Sequence, residues 1–567
     1  MKYFSGIFVS SIFLFAAEFS FAQYTHQDTL RGTIAPERVW WDVLRYDISV
    51  QPDYSNKTIT GVSKIQFTVL KEGSLMQIDL QEPLVIDSIH FFKFEDNNNQ
   101  TIHSWNSVKD FKREGNIYLI KTNNYLAKTI NLKPGTVNYI YLYYHGKPRE
   151  AINAPWDGGW IWAKDEQGRP WMTVACQGLG ASAWYPCKDH QSDEPDNGAS
   201  LTITVADSLV AVGNGRLTDK KDNGNGTSSW KWEVTSPINN YTIIPYIGKY
   251  VNWKENFAGE KGNLDCNYWV LDYDLEKSKK QFGRDVKLML TCFEDWFGPY
   301  PFYEDGYKLV ESSHLGMEHQ SAVAYGNKFL DGYLGMDLSG TGWGTKWDYI
   351  IVHESGHEWF GNNITTNDMA DMWVHEGFTN YSEVLFVECQ SGKKAADEYC
   401  QGIRNNIQNE RPIIGDYGVN KEGSGDMYAK GANLIHMIRQ VINDDIIFKK
   451  ILRGLNKEFY HKTVDTKNIE TYISKQSGKD LSKIFNQYLR TKQVPQLEYK
   501  IKGFSFSYRW KNCIKGFTMP VRIFSGGNQK WINPTAEWQT QKMAGWFNEK
   551  SFSIDKNFYI TAKKIKP

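Results

Sequence analysis

From Tyr46 to about Trp253 apolar and polar positions alternate with period two. Ile48 and Val50 alternate with Asp47 and Ser49, Ile65, Phe67 and Val69 with Gln66 and Thr68, and Met76, Ile78 and Leu80 with Gln77 and Asp79. Alternation turns one side of a segment to a core and the other to water, so the pattern predicts half-buried strands. Turn formers separate them, most plainly Asp222-Asn223-Gly224-Asn225-Gly226 ahead of Trp230-Lys231-Trp232, where asparagine and glycine can supply the positive φ of a hairpin. Near Leu275 the period becomes helical, and helices are expected to dominate as far as Leu489. Leu481, Ile484, Phe485, Tyr488 and Leu489 form one such stripe, at i, i+3, i+4, i+7 and i+8. Pro495 ends that run, and alternation returns in Leu497, Tyr499 and Ile501, in Phe504, Phe506, Tyr508 and Trp510, and in Phe517, Met519, Val521 and Ile523. The expected fold is therefore multidomain α+β: an N-terminal β domain over 23–253, a mainly helical domain over 254–494 and a small C-terminal β-sandwich over 495–567.

The first 22 residues differ in kind. They carry one cation at Lys2, an apolar stretch from about Ile7 to Ala17, and Ser20-Phe21-Ala22, which fits the small-x-small requirement of signal peptidase. Cleavage is expected between Ala22 and Gln23, giving an exported protein, periplasmic or secreted. No later segment reaches the ~20 apolar residues of a membrane helix, so stable membrane insertion after cleavage is not expected. The remaining 545-odd residues are too many for one core, as domains run ~100–200 residues. Lys plus Arg number 65 and Asp plus Glu 65, so no basic excess exists to neutralise nucleic-acid phosphates. Seven cysteines in an oxidising compartment leave at least one thiol unpaired; Cys176 and Cys187, or Cys389 and Cys400, are neighbours in sequence, which does not pair them.

The segment Trp347 to Asn362, WDYIIVHESGHEWFGN, carries the most chemistry. On a helix His353 and His357 share one face, so their imidazoles can bind one Zn²⁺ with Glu354 beside them. Histidine is only 12 of 567 residues, and these offsets arise by chance on the order of 1% of the time. A hydrolytic site needs a third protein ligand and an open position for water. Glu376, nineteen positions after His357 in WVHEGFTNYSE, supplies a carboxylate on what should be a second helix. Glu383, two turns further on, could orient a ligand imidazole or could equally be a solvated glutamate. His314, His319 and His375 are read as structural, and Gly340, Gly342 and Gly344 as a flexible loop rather than a phosphate cradle.

HESGH, the eighteen-residue spacing to Glu376 and the following Gly-Phe and tyrosine resemble the zinc aminopeptidases typified by aminopeptidase N and the leukotriene epoxide hydrolase, the gluzincin metallopeptidases. Leu315-Gly316-Met317-Glu318-His319-Gln320 resembles that family's Gly-Ala-Met-Glu-Asn strand, with His319 in place of the asparagine. By resemblance Gly316 and Met317 lie along the substrate backbone and Glu318 grips its free α-amine. Tyr428, two residues before Lys430-Gly431, corresponds to the tyrosine that stabilises the oxyanion, and Gln177 in ACQGLGASAWYPCKD to a second contact for the amine. The resemblance implies a thermolysin-like catalytic domain, one Zn²⁺ per chain on His353, His357 and Glu376, Glu354 as general base, and peptides with a free N-terminus as substrates. It leaves as alternatives an epoxide hydrolase on the same zinc site and a catalytically silent binding protein of the same fold. The pattern after Pro495 is that of strands, so the family's large C-terminal helical domain is not expected there.

Overall fold

The computed structural model describes residues 24–97, 100–122, 132–543 and 549–566. The expected leader, 1–22, lies outside the described residues. The N-terminal part is built on an eight-stranded sheet whose spine is the antiparallel pair Trp41–Asp53 and Thr58–Val69, with Ile48 opposite Ser63. Val43, Tyr46, Ile48 and Val50 are buried and their neighbours less so, and a register shift between Val43 and Arg45 keeps the apolar side inward across the irregularity. The turn at 223–226 does join two antiparallel strands, Arg216–Asp222 and Thr227–Val234, with Gly224 and Gly226 at φ 70° and 81°. A four-stranded sheet containing Gly159–Lys164 and Pro170–Ala175 shares a core with it around Trp41, Trp160 and Trp184.

Two long strands that run past the alternating region, Tyr250–Gly259 and Gly262–Leu271, open a five-stranded sheet that continues through Tyr307–Glu311 and Val323–Tyr325 and ends at the edge strand Gly316–Met317. The described helices are α1 (His26–Gly32), α2 (Leu275–Phe297), α3 (Tyr349–Gly356), α4 (Trp373–Ser391), α5 (Lys393–Gly402), α6 (Ala429–Ile442), α7 (Asp445–Glu458), α8 (Thr466–Ser477) and α9 (Ser482–Arg490). The α9 stripe buries Ile484, Phe485, Tyr488 and Leu489, each contributing ~1.5–3 kcal/mol. The C-terminal part is a four-stranded and a three-stranded sheet that share one core with the helices.

One expectation changes, and the cysteine pairing that the sequence leaves open is settled. The glycine-rich segment before α3 is a defined turn and not a loose loop: Asp337 accepts hydrogen bonds from Ser339 N and Oγ (2.9 and 2.7 Å) and from Gly342 N. Cys389 pairs neither with Cys400 nor with any near neighbour; it is disulfide-bonded to Cys292, tying α2 to the end of α4, while Cys176, Cys187, Cys266, Cys400 and Cys513 are free. Among the described residues no helix is long and apolar enough to cross a membrane.

Candidate active site

The site is laid down by one short helix. Asp348 caps α3, accepting from Ile350 N and Ile351 N (3.1 and 3.4 Å), and its carboxylate is itself held by Tyr325, Gln281 and Asn327 (2.7, 3.0 and 2.8 Å). A cap bonded to three other elements fixes the direction of α3, and with it the single face that carries His353 and His357. After Gly356 the chain leaves the α-helix for a wide turn at Glu358–Asn362. The Phe360 carbonyl in that turn accepts from His357 Nδ1 at 3.0 Å.

His353 Nδ1 donates to Glu383 Oε1 at 2.7 Å. With both outer nitrogens engaged, the two Nε2 atoms turn inward toward Glu376 Oε2, at 3.7 and 3.4 Å. That oxygen is buried and has no hydrogen-bond partner. Two imidazoles with fixed tautomers and an oxygen without a donor form the donor set of a tetrahedral divalent site with one position left open, and their ligand atoms lie within 4.8 Å of one another. The electrostatics agree. Burial alone would raise the Glu376 carboxyl, but the two histidines hold it well below the ordinary range. Burial likewise disfavours the His353 imidazolium, yet Glu376 and Glu383 outweigh it and push the histidine up. The protein fabric thus asks for positive charge at this point.

Glu354 lies on the same helix, and burial pushes its carboxyl up to about 7 against the pull of His353 and His357. Gly316 of the edge strand passes directly over it: a Cβ there would stand 2.7 Å from Glu354 Oε1 and 2.9 Å from Ile350. Only glycine lets the strand run this close. Met317 follows, and Glu318 turns a buried carboxylate inward, where Oε1 accepts from Gln177 Nε2 (2.5 Å) and Tyr241 OH (2.8 Å). Burial raises the Glu318 carboxyl despite the charge of His357. One ligand atom each of Glu318, Glu354 and His357 also falls within 4.8 Å.

Tyr428 arrives from a fourth direction. Helices α4 and α6 touch backbone to backbone, since a Cβ on Gly431 would lie 2.8 Å from the Gly377 Cα. That contact sets Tyr428, at the start of α6, beside Glu376, and its ring lies 6.1 Å from that of His353. All nine expected residues therefore line one cavity of about 750 Å³, together with Tyr333, Tyr349 and Trp156. Its outer wall includes Arg31 near the end of α1 and Lys421, which stands 3.7 Å from Asp28. His375 faces elsewhere and accepts from Thr366 N at 2.9 Å, and His319 Nδ1 bonds the Tyr246 hydroxyl at 2.5 Å. Sequence reasoning missed Tyr241, which holds Glu318, and Asn362, whose Nδ2 donates to the Glu318 carbonyl at 2.8 Å.

Two family models match this architecture: the Peptidase family M1 domain over residues 283–488 and the Peptidase M1 N-terminal domain over residues 43–242. The chain belongs to peptidase family M1. Among its relatives are Aminopeptidase M1 of Arabidopsis thaliana, 23% identical over 81% of this chain and 51% of its own length, and Aminopeptidase N of Lactococcus lactis, 27% identical over 56% of this chain and 38% of its own. The chain spans about half the length, or less, of these M1 relatives. In fold it is similar to an M1 zinc metallopeptidase mutant from Deinococcus radiodurans bound to a Tyr-Ser-Ala substrate (TM-score 0.65, 20% identity, 80% of this chain and 95% of that one). It is similar also to Legionella pneumophila aminopeptidase A in complex with aspartic acid (TM-score 0.72, 14% identity, 92% and 60%).

Proposed function

We propose that this M1 peptidase is a zinc aminopeptidase that removes N-terminal residues from peptides. His353, His357 and Glu376 would hold the ion, which when bound supplies Lewis-acid polarisation of the scissile carbonyl and of water. Glu354, whose proton affinity is set near neutrality by burial, takes a proton from the attacking water and returns it to the leaving amine. The Tyr428 hydroxyl faces the cavity and donates to the carbonyl oxygen as it gains negative charge. The edge strand Gly316–Met317 offers the substrate backbone an unpaired strand edge.

The observation that carries the reading is the position of Glu318. A buried carboxylate within 4.8 Å of the general base and a ligand histidine leaves room for one residue beyond the scissile bond, and it is satisfied by the α-ammonium of that residue. A silent binding protein would have no reason to keep the base, the tyrosine and the amine anchor in one cavity. The decisive experiment compares kcat/KM for one peptide with free and acetylated N-terminus, in wild type and Glu318→Ala. Acetylation should cost the wild type about two orders of magnitude or more and the variant much less. Equal wild-type rates, or internal cuts in the acetylated peptide, would overturn it.

We also propose that the chain is exported and works in the periplasm or outside the cell after removal of residues 1–22. The Lys2, apolar and Ser20-Phe21-Ala22 pattern supports this, as does the Cys292–Cys389 disulfide, which oxidising compartments favour. N-terminal sequencing of the mature protein should begin at Gln23; a chain that keeps Met1 in the cytoplasm would refute it.

A further inference from the structure

A second cavity of ligand size, about 640 Å³, opens between the C-terminal end of α2 and helices α7 and α8, and it shares no lining residue with the active-site cavity. Its walls are largely apolar, built from Phe297, Pro299, Pro301 and Tyr472. Gly454, in the middle of α7, lies on its wall. A glycine inside a helix costs ~1 kcal/mol relative to alanine, and here the space of its missing side chain is taken by the Tyr472 hydroxyl, 2.1 Å from where a Cβ would lie.

The rim of this hollow is cationic. Lys450 and Lys457 stand seven residues apart on α7, on the same side as Gly454, and Lys261 reaches over from the Gly259–Gly262 turn with Nζ 4.9 Å from the Tyr460 ring centre. Arg453 is already committed to Glu260, in two bonds of 2.9 and 2.8 Å. Lys450 and Lys457 have no ion-pair partner among the described residues, and no aspartate or glutamate lines the cavity. An apolar slot with uncompensated positive charge at its mouth is complementary to one ligand chemistry. We propose that this cavity binds an amphipathic organic anion, with its apolar body between Phe297, Pro299, Pro301 and Tyr472 and its carboxylate or sulfonate against Lys450 and Lys457. The site is independent of the peptidase reading. Its floor does touch the catalytic framework: the Gly298 carbonyl accepts from Trp359 Nε1 at 3.0 Å, and Phe297 packs on Phe360, so the test leaves the floor untouched and alters only the rim.

The probe is 8-anilinonaphthalene-1-sulfonate, titrated by fluorescence into the full mature chain loaded with zinc. One saturable site is expected. The double variant Lys450→Glu/Lys457→Glu should weaken it by about tenfold or more while peptide hydrolysis stays at the wild-type rate, because both side chains are exposed and neither lines the active-site cavity. The uncharged analogue N-phenyl-1-naphthylamine should bind about tenfold more weakly than the sulfonate, and a saturating peptide with a free N-terminus should displace neither. No saturable binding, an unchanged affinity in the double variant, equal affinity for the neutral analogue, or displacement by the peptide would each overturn the proposal.

Discussion

Replacing Glu383 by glutamine keeps the shape of a fully buried side chain and removes only its charge. In the wild type Oε1 accepts from His353 Nδ1 and from Asn380 Nδ2, both at 2.7 Å, and Oε2 accepts from the Tyr399 hydroxyl at 2.7 Å. A hydrogen bond to an ionised acceptor contributes ~1.5–3 kcal/mol and one to a neutral acceptor ~0.5–1.5 kcal/mol, so the change weakens the hold on His353 by ~1–1.5 kcal/mol. The Tyr399 hydroxyl can rotate to accept from the new amide, but its own proton then loses the acceptor it has in the wild type, so a stability cost of ~1–3 kcal/mol accompanies the loss of affinity. Weaker support makes His353 a poorer ligand, and zinc affinity should fall by about 5- to 12-fold, at the lower end of the ~10–100-fold loss typical when partners of metal-bound histidines are altered. Glu383→Ala goes further. It leaves the His353, Asn380 and Tyr399 donors without an acceptor, and at ~1–3 kcal/mol each that cost should appear as a lower melting temperature as well as lost zinc. The assay is zinc titration against a chelator of known affinity, with thermal unfolding of the same samples. A Glu383→Gln protein with wild-type zinc affinity would refute the reasoning and return Glu383 to a merely structural part.

Glu354→Gln should retain zinc but lose turnover by about two to four orders of magnitude, because an amide fills the same space without accepting a proton; near-normal kcat would remove the base. Gly431→Ala should destabilise by ~1–3 kcal/mol and lower kcat, since the added methyl pushes α6 and Tyr428 away from α4 and Glu376. Gly425→Ala, with nothing within 4 Å, is its control, and equal unfolding midpoints for the two would refute the contact. His436 is fully buried among Lys393, Arg404, Arg439 and Tyr381, with Asp397 at 3.6 Å, and burial holds its imidazole well below the ordinary value. Its folded pKa lies below its unfolded one, so the unfolded chain binds the extra proton and stability is lost as pH falls below ~6.5, by about 1.4 kcal/mol between pH 7.5 and 5.5. His436→Gln should lose that component in urea unfolding at the two pH values, and an identical pH slope in both proteins would contradict it.

The ligand set was legible because its information is local. His353 and His357 are one helical turn apart, and Glu376 sits on the next helix, so period and spacing alone bring them together. Glu383 was legible only as a choice between two roles, since the sequence places it on the same face as Glu376 but says nothing of Tyr399 from α5, which closes over it. Tyr241 and Asn362 were not legible at all. They reach Glu318 from a turn 77 residues upstream and from the far side of the zinc turn, and neither carries a pattern of its own. The disulfide was left open by the same limit: Cys292 and Cys389 are 97 residues apart, and only the packing of α2 on α4 makes them neighbours. Likewise Gly316-Met317 is legible as a strand only through its resemblance to the family's Gly-Ala-Met-Glu-Asn stretch, and it is the sheet order that makes it an edge strand.

What the sequence could not supply is distance, and in this site distance is set by absent side chains. At Gly316 the edge strand descends onto Glu354, which puts the backbone that would align a substrate within reach of the base. At Gly377 and Gly431 two helices meet backbone to backbone, which puts a third ligand and a phenol on the same side of the cavity. A methyl at either place would separate its partners by a few tenths of an ångström or more, a displacement that general acid–base and oxyanion contacts do not tolerate without loss of rate. Each glycine therefore acts on the chemistry through a neighbour: Gly316 through Glu354, Gly377 and Gly431 through Glu376 and Tyr428. The functional side chains belong to motifs that can be read one at a time, but their cooperation depends on three residues that have no side chain to read.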